Sequence, residues 1–194
     1  MLILGINGGF RQGYLDSSAC LVEDGEVLAA VEEERLDRIK HSPGKLPFLS
    51  ISKVLSITGK GIEDVDEIAF HGSTWGDHID EKLKQYFHHH FGHVPPIKRH
   101  HHHDCHAAGA FFAAGFEEAL VITSDSSGDG VSMQVSIGRG HELECVKRFE
   151  RPNSLGIFYS LITQYCGFIK ESDEYKLMGI SSYGNRKAHD FSFL

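Results

Sequence analysis

The 194-residue chain has no apolar run of bilayer-spanning length and no C-x-x-C pair among its four cysteines, Cys20, Cys105, Cys145 and Cys166. The first absence argues against a membrane-spanning helix, and Met1-Leu2-Ile3-Leu4 meets Gly5 too soon to form the apolar core of a secretion signal. The second argues against a disulfide framework or a zinc ribbon, so the expectation is a reduced, cytoplasmic protein. Positive charge is also short. Nineteen Lys and Arg against 27 Asp and Glu give a formal net charge of -8. With no basic patch to neutralise phosphates, neither nucleic acid nor an anionic membrane is expected as a partner. What the chain does have is 41% hydrophobic residues, 21 glycines and 14 histidines. That apolar content suffices for one globular domain or two small lobes.

Strand signals come early. Leu2 to Ile6 is a short apolar run followed by a glycine-rich loop, Asn7 to Gly13. Ser17 to Val22 and Val27 to Val31 read as two strands around a Glu23-Asp24-Gly25-Glu26 hairpin turn. Leu49, Ile51, Val54, Leu55 and Ile57 fit one face of a helix ending at Gly59, and Val65 to His71 reads as a further strand. Trp75 to His93 is polar and charged, and reads as a loop with a short helix. The early pattern then restarts. Ala119 to Thr123, Val131 to Ile137 and Glu142 to Phe149 are strands, separated by a Ser124–Gly130 loop and a Gly138–Gly140 turn. Both copies carry a glycine loop with an aspartate near a strand end, Asp16 and Asp125, where backbone N–H groups can face an anion. A duplicated three-stranded meander of this kind is the plan of the α/β actin-like fold (ribonuclease H-like, as in sugar kinases and Hsp70). The expected lobes are residues 1–116 and 117–194, the second incomplete; its unpaired edges favour self-association, as a homodimer.

The run His100-His101-His102-His103 sits mid-chain and leads through Asp104 and Cys105 to His106, into a helix of small and aromatic residues. An affinity tag has no reason to continue in this way. Histidine runs in loops are commonly solvated, but His102 and His106 are four apart and share a face on a helix that starts near Asp104. His103 and His106 also share a face, so His103 is the alternative ligand; His100 and His101 are expected to face solvent. Ser126, Ser127, Gly128 and Asp129 follow Asp125 in a loop with little side chain, which lets backbone amides approach a phosphate; a plain surface turn is the alternative. Lys40 could pair with a phosphate or serve as a solvated charge.

Five ordered stretches, "ILGINGG…DSSACLVEDGEVLAAVEEERLDRIKH", "HHDCHAAGAFF", "ITSDSSGDG", "SLGIFYSLITQYCGF" and "EYKLMGISSYG", resemble the N-terminal part of the O-carbamoyltransferases. These enzymes modify nodulation factors, aminoglycosides and cephalosporins. The resemblance runs from Met1 to about Asn185. It implies an actin-like domain, with a second lobe that continues past this chain and a separate carbamoyl-adenylate-forming domain. It places a carboxylate ligand at Asp125 beside His102 and His106, and a carbamoyl-adenylate contact at Asp125, Ser126, Ser127, Gly128 and Asp129; Lys40 is a further candidate for that contact on its charge alone. Asp16, Glu174 and Lys176 fall at the acceptor cleft, although Glu174 and Lys176 could equally form an ion pair that holds a loop. Two histidines and a carboxylate suit Fe(II), with zinc or manganese as alternatives. The implied reaction is transfer of a carbamoyl group, from carbamoyl adenylate made with carbamoyl phosphate and ATP, to a small-molecule hydroxyl acceptor. The implied partner is the remaining C-terminal part of the enzyme, without which this chain is expected to be inactive. No catalytic residue is assigned. The family's histidine before the first-loop aspartate is replaced by Leu15, which has no polar group to offer an acceptor. Two other readings stay open. One is an actin-like ATPase or sugar kinase, which would need oxygen ligands for Mg2+. The other is a catalytically silent metal-binding half-module.

Overall fold

The computed structural model describes residues 1–10 and 16–185. The sequence-predicted departure at Leu15 lies outside the described residues. Among them, two compact units divide between Cys105 and His106.

The first unit carries a five-stranded sheet in the order β3-β2-β1-β4-β5. Its strands are β1 (Leu2–Asn7), β2 (Ser18–Glu23), β3 (Glu26–Glu32), β4 (Glu67–His71) and β5 (Ile97–His100). β1 pairs antiparallel with β2, and β2 with β3, while β4 and β5 extend the sheet in parallel. The turn between β2 and β3 has positive φ at both Asp24 and Gly25, the combination that suits the right-handed twist of a two-residue hairpin. Alternation along β1 and β4 sends Leu2, Leu4, Ile6, Ile68 and Phe70 into one core.

Three helices flank this sheet in the chain: α1 (Glu33–Asp37), α2 (Phe48–Thr58) and α3 (His78–Phe91). α2 buries Ile51, Val54 and Leu55 and stops at Gly59 in the left-handed conformation. Its first turn has no side-chain cap of its own. The buried carboxylate of Glu33, the first residue of α1, supplies one instead, accepting from the N–H groups of Leu49 at 3.0 Å and Ser50 at 2.7 Å. α3 overturns the reading of Trp75–His93 as a loop with a short helix. It is 14 residues long and buries Ile79, Leu83 and Phe87. Those three residues follow a four-residue spacing, a narrow apolar stripe concealed by the charged residues around it.

The second unit has an antiparallel meander, β6 (Glu118–Gly128), β7 (Val131–Arg139) and β8 (Glu142–Glu150), followed by α5 (Leu155–Tyr165) and α6 (Glu174–Ile180). Helix α4 (His102–Ala114) begins four residues before the division and is continuous through it. The sequence reading put the boundary after this helix, at 116. The helix belongs mainly to the second unit because Ala107 and Phe111 pack with Val121 of β6. The segment Ser124–Gly130, expected as a loop, is largely strand. β6 runs on to Gly128, and the hairpin turn is confined to Asp129 and Gly130, both at positive φ. No helix among the described residues is long and apolar enough to cross a membrane.

Candidate metal centre

Four adjacent histidines occupy four different environments. His100 closes β5, in register with His71 of β4. His101 caps α4: its carbonyl accepts from the N–H groups of Asp104 and Cys105 at 3.0 and 3.1 Å, and its Nδ1 accepts from the N–H of His103 at 3.3 Å. Both residues are half-buried, not solvent-facing as expected, because one ends a strand and the other folds back on the helix. His102 opens the helix half-buried, whereas the next residue, His103, is 0% exposed. Burial sets His103 among the packed side chains and leaves His102 and His106 as the more accessible pair.

His102, His106 and Asp125 offer ligand atoms that all lie within 4.8 Å of one another. His106 Nε2 stands 3.5 Å from an Asp125 carboxylate oxygen. Two donors bound tetrahedrally to one metal at 2.0–2.2 Å are about 3.4 Å apart. The His106–Asp125 spacing already meets that requirement, and the widest separation would have to close by at most about 1.4 Å. Two imidazoles and one carboxylate are a donor set for iron, zinc or manganese more than for magnesium. The residues present therefore fit a divalent transition metal. His106 is about half exposed and Asp125 about one-third exposed, which leaves room for water or a substrate oxygen.

Asp125 is placed by its neighbours. Pairing along β6 and β7 breaks between Ser124 and Gly128, so Asp125, Ser126 and Ser127 stand opposite Ser132 alone, as a bulge. Bulges re-aim side chains. One carboxylate oxygen, Oδ1, accepts from the Ser126 N–H at 2.6 Å, while the other, Oδ2, faces His106. The start of α5 then closes on the bulge. Ser154 Oγ donates to the Asp125 carbonyl at 3.0 Å and accepts from the Ile157 N–H, also at 3.0 Å, so it both caps the helix and pins the ligand's backbone. A Cβ on Gly156 would lie 2.7 Å from Ser126 N and 2.8 Å from the Asp125 carbonyl carbon and oxygen. Only glycine permits that approach. Sequence reasoning did not identify Ser154 or Gly156 as supports, although a serine ahead of an apolar run is a helix-start signal.

The other candidates fall in several places. Asp16 is held locally: its N–H donates to the His41 carbonyl, its carbonyl accepts from Asn7 Nδ2, and its carboxylate meets His41 Nδ1, each at 2.8 Å. Lys40 is exposed in the turn after α1. Ser126 and Ser127 lie in the bulge with Asp125, Gly128 resumes the pairing opposite Val131, and Asp129 begins the adjoining turn. Glu174 and Lys176 are not paired with each other. Glu174 accepts from Ser160 Oγ and from the Glu171 N–H, both at 2.6 Å, and Lys176 pairs with Asp173 at 2.8 Å. Burial pushes the Glu174 carboxyl up, but these hydrogen bonds outweigh it and hold the group below the ordinary carboxylate range.

Comparison with known proteins gives this geometry a context. The nodulation protein NolNO of Sinorhizobium fredii is 36% identical over 97% of this chain and 32% of its own length. The chain spans about a third of the length of the curated relatives it matches over most of its own length. Among solved structures, the activator of 2-hydroxyisocaproyl-CoA dehydratase from Clostridium difficile, with bound ADPNP, aligns with 96% of this chain and 58% of that one at a TM-score of 0.51 and 18% identity. The ROK hexokinase from Thermus thermophilus aligns with 96% of this chain and 71% of that one at a TM-score of 0.52 and 11% identity. At such identities the likeness speaks for the fold alone, and the fold is actin-like. The family model described as "Carbamoyltransferase N-terminus" matches residues 3–93 and 88–191, nearly the whole chain. The chain belongs to the carbamoyltransferase N-terminal family.

Proposed function

We propose that this chain is the N-terminal part of an O-carbamoyltransferase that moves a carbamoyl group from carbamoyl adenylate to an acceptor hydroxyl. Family membership supports the reaction class, and the single observation that carries the site assignment is the grouping of His102, His106 and Asp125. These three residues would hold a divalent metal, Fe(II) on the donor set, with zinc or manganese as alternatives. When bound, the metal would supply Lewis-acid stabilisation of charge developing on a substrate oxygen. Asp125 has a second role through its backbone. The stretch that follows it, Ser126 to Gly128, carries little side chain and would let N–H groups approach the adenylate phosphate. Lys40 and Asp129 are proposed as further adenylate contacts, and Asp16, Glu174 and Lys176 as acceptor-side residues.

The carbamoyl adenylate itself is assigned to the C-terminal remainder of the enzyme, so this chain alone should not turn over carbamoyl phosphate and ATP. Exposed apolar side chains on the second unit, Leu120, Ile122, Phe158 and Leu161 among them, support a further protein partner, either that remainder or a second copy. The test compares the isolated chain with a full-length polypeptide containing it. Both receive carbamoyl phosphate, ATP and a panel of sugar hydroxyl acceptors, and AMP and carbamoylated product are measured. The full-length protein should form both; AMP release by the isolated chain would overturn the division of labour.

A further inference from the structure

His71 belongs to no assigned role, yet the structure builds a seat for it. It is the last residue of β4, and the parallel register with β5 sets it beside His100, two residues before His102. Carboxyl ends of parallel strands are where open α/β sheets gather their functional groups. The His71 ring meets the His102 ring nearly edge-on, with centroids 5.9 Å apart and planes at 72°. On another side it meets Trp75 at 4.9 Å and 84°. Trp75 is fixed in turn: its ring packs edge-on to buried Phe70 at 5.6 Å, and its backbone N–H donates to the Gly72 carbonyl at 3.1 Å. The indole lies over Gly72, where φ is +88° and a Cβ would come within 2.6 Å of the ring. Gly72 thus lets the indole close down on the chain, the indole backs the His71 ring, and that ring abuts His102.

We propose that His71 is a positioning residue for His102, its ring setting the plane in which His102 presents a nitrogen to a divalent metal. The inference rests on the metal reading above. A ligand imidazole that swings about its Cβ–Cγ bond loses alignment with the metal. Partners that orient ligand imidazoles commonly change metal affinity 10–100-fold when removed. The contact is between rings, so an aromatic replacement should preserve it and a small one should not.

The experiment titrates the 194-residue chain with Co(II) and follows the visible ligand-field absorption, with circular dichroism and thermal melting of each variant alongside. His71→Ala should weaken Co(II) binding by about 10–100-fold and shift the absorption band while the fold is retained. His71→Phe should restore most of the affinity. If the alanine variant does not fold, Trp75→Leu, which leaves His71 in place but removes its support, should weaken binding in the same direction. Wild-type affinity in whichever of these two variants folds would overturn the proposal, as would an equal loss in His71→Ala and His71→Phe. Failure of the wild-type chain to bind Co(II) is a distinguishable result, because it overturns the metal reading and this inference with it.

Discussion

Replacing Gly156 with alanine tests how Asp125 is held. The new methyl group would sit 2.7 Å from Ser126 N and 2.8 Å from the Asp125 carbonyl carbon and oxygen. All three are backbone atoms in a hydrogen-bonded bulge, so no flexible side chain can swing aside. Relief requires α5 and the bulge to separate by several tenths of an ångström, and overpacking of this kind costs about 1–3 kcal/mol. Alanine's better helix propensity returns at most about 1 kcal/mol, and less in the first turn where Gly156 lies. The net expectation is a loss of about 1–2 kcal/mol, or roughly 3–6 °C in the melting temperature of a chain this size. The same displacement lengthens the Ser154–Asp125 hydrogen bond and moves the carboxylate relative to His106, so Co(II) affinity should fall too. Thermal melting followed by circular dichroism reads the first effect and a Co(II) titration the second. A Gly156→Ala chain as stable as wild type, with unchanged Co(II) affinity, would show that the close approach of α5 does not hold Asp125.

Other outcomes follow from the same contacts. Glu33→Ala leaves the N–H groups of Leu49 and Ser50 without their buried acceptor and should cost about 2–3 kcal/mol in urea unfolding; a cost below about 0.5 kcal/mol would remove Glu33 as the cap of α2. Glu174 has its folded-state affinity for protons lowered, so its contribution to stability is present above the ordinary carboxylate range and is lost as pH falls through the folded value. Wild-type melting temperature should therefore drop on acidification more steeply than that of Glu174→Gln, and parallel profiles would contradict this. Ser154→Ala removes both a helix cap and the bond to the Asp125 carbonyl; about 1–2 kcal/mol should be lost, as measured by chemical denaturation.

Local pattern made much of this architecture legible. β1, β2 and β3 are short apolar runs bounded by glycine and acidic turn residues, the Asp24-Gly25 turn names its own geometry, and the four-residue spacing of His102 and His106 puts them on one helix. What failed was hidden in local composition. α3 buries only three residues in a charged sequence, so its apolar stripe is narrow. β5 is four residues, Ile-Lys-Arg-His, too short to show a period, and is defined by its pairing with β4. The supports of the candidate site are contacts distant in sequence, which periodicity does not encode. Ser154 reaches Asp125 across 29 residues, and His71 reaches His102 across the β4–β5 register. The histidine run looked uniform because composition does not reveal that one member ends a strand, another caps a helix and a third is buried.

The proposed metal centre requires His102, His106 and Asp125 to bind one divalent ion together. X-ray absorption fine structure of the chain loaded with one equivalent of Co(II) tests it most directly, because imidazole ligands leave a distinctive multiple-scattering signature. The spectrum should show two imidazole nitrogens and at least one carboxylate oxygen at about 2.0–2.2 Å. One imidazole should disappear in His102→Ala and one in His106→Ala, and binding should weaken in Asp125→Asn. A ligand shell of oxygens alone, or a two-imidazole shell that persists in both histidine variants, would contradict it.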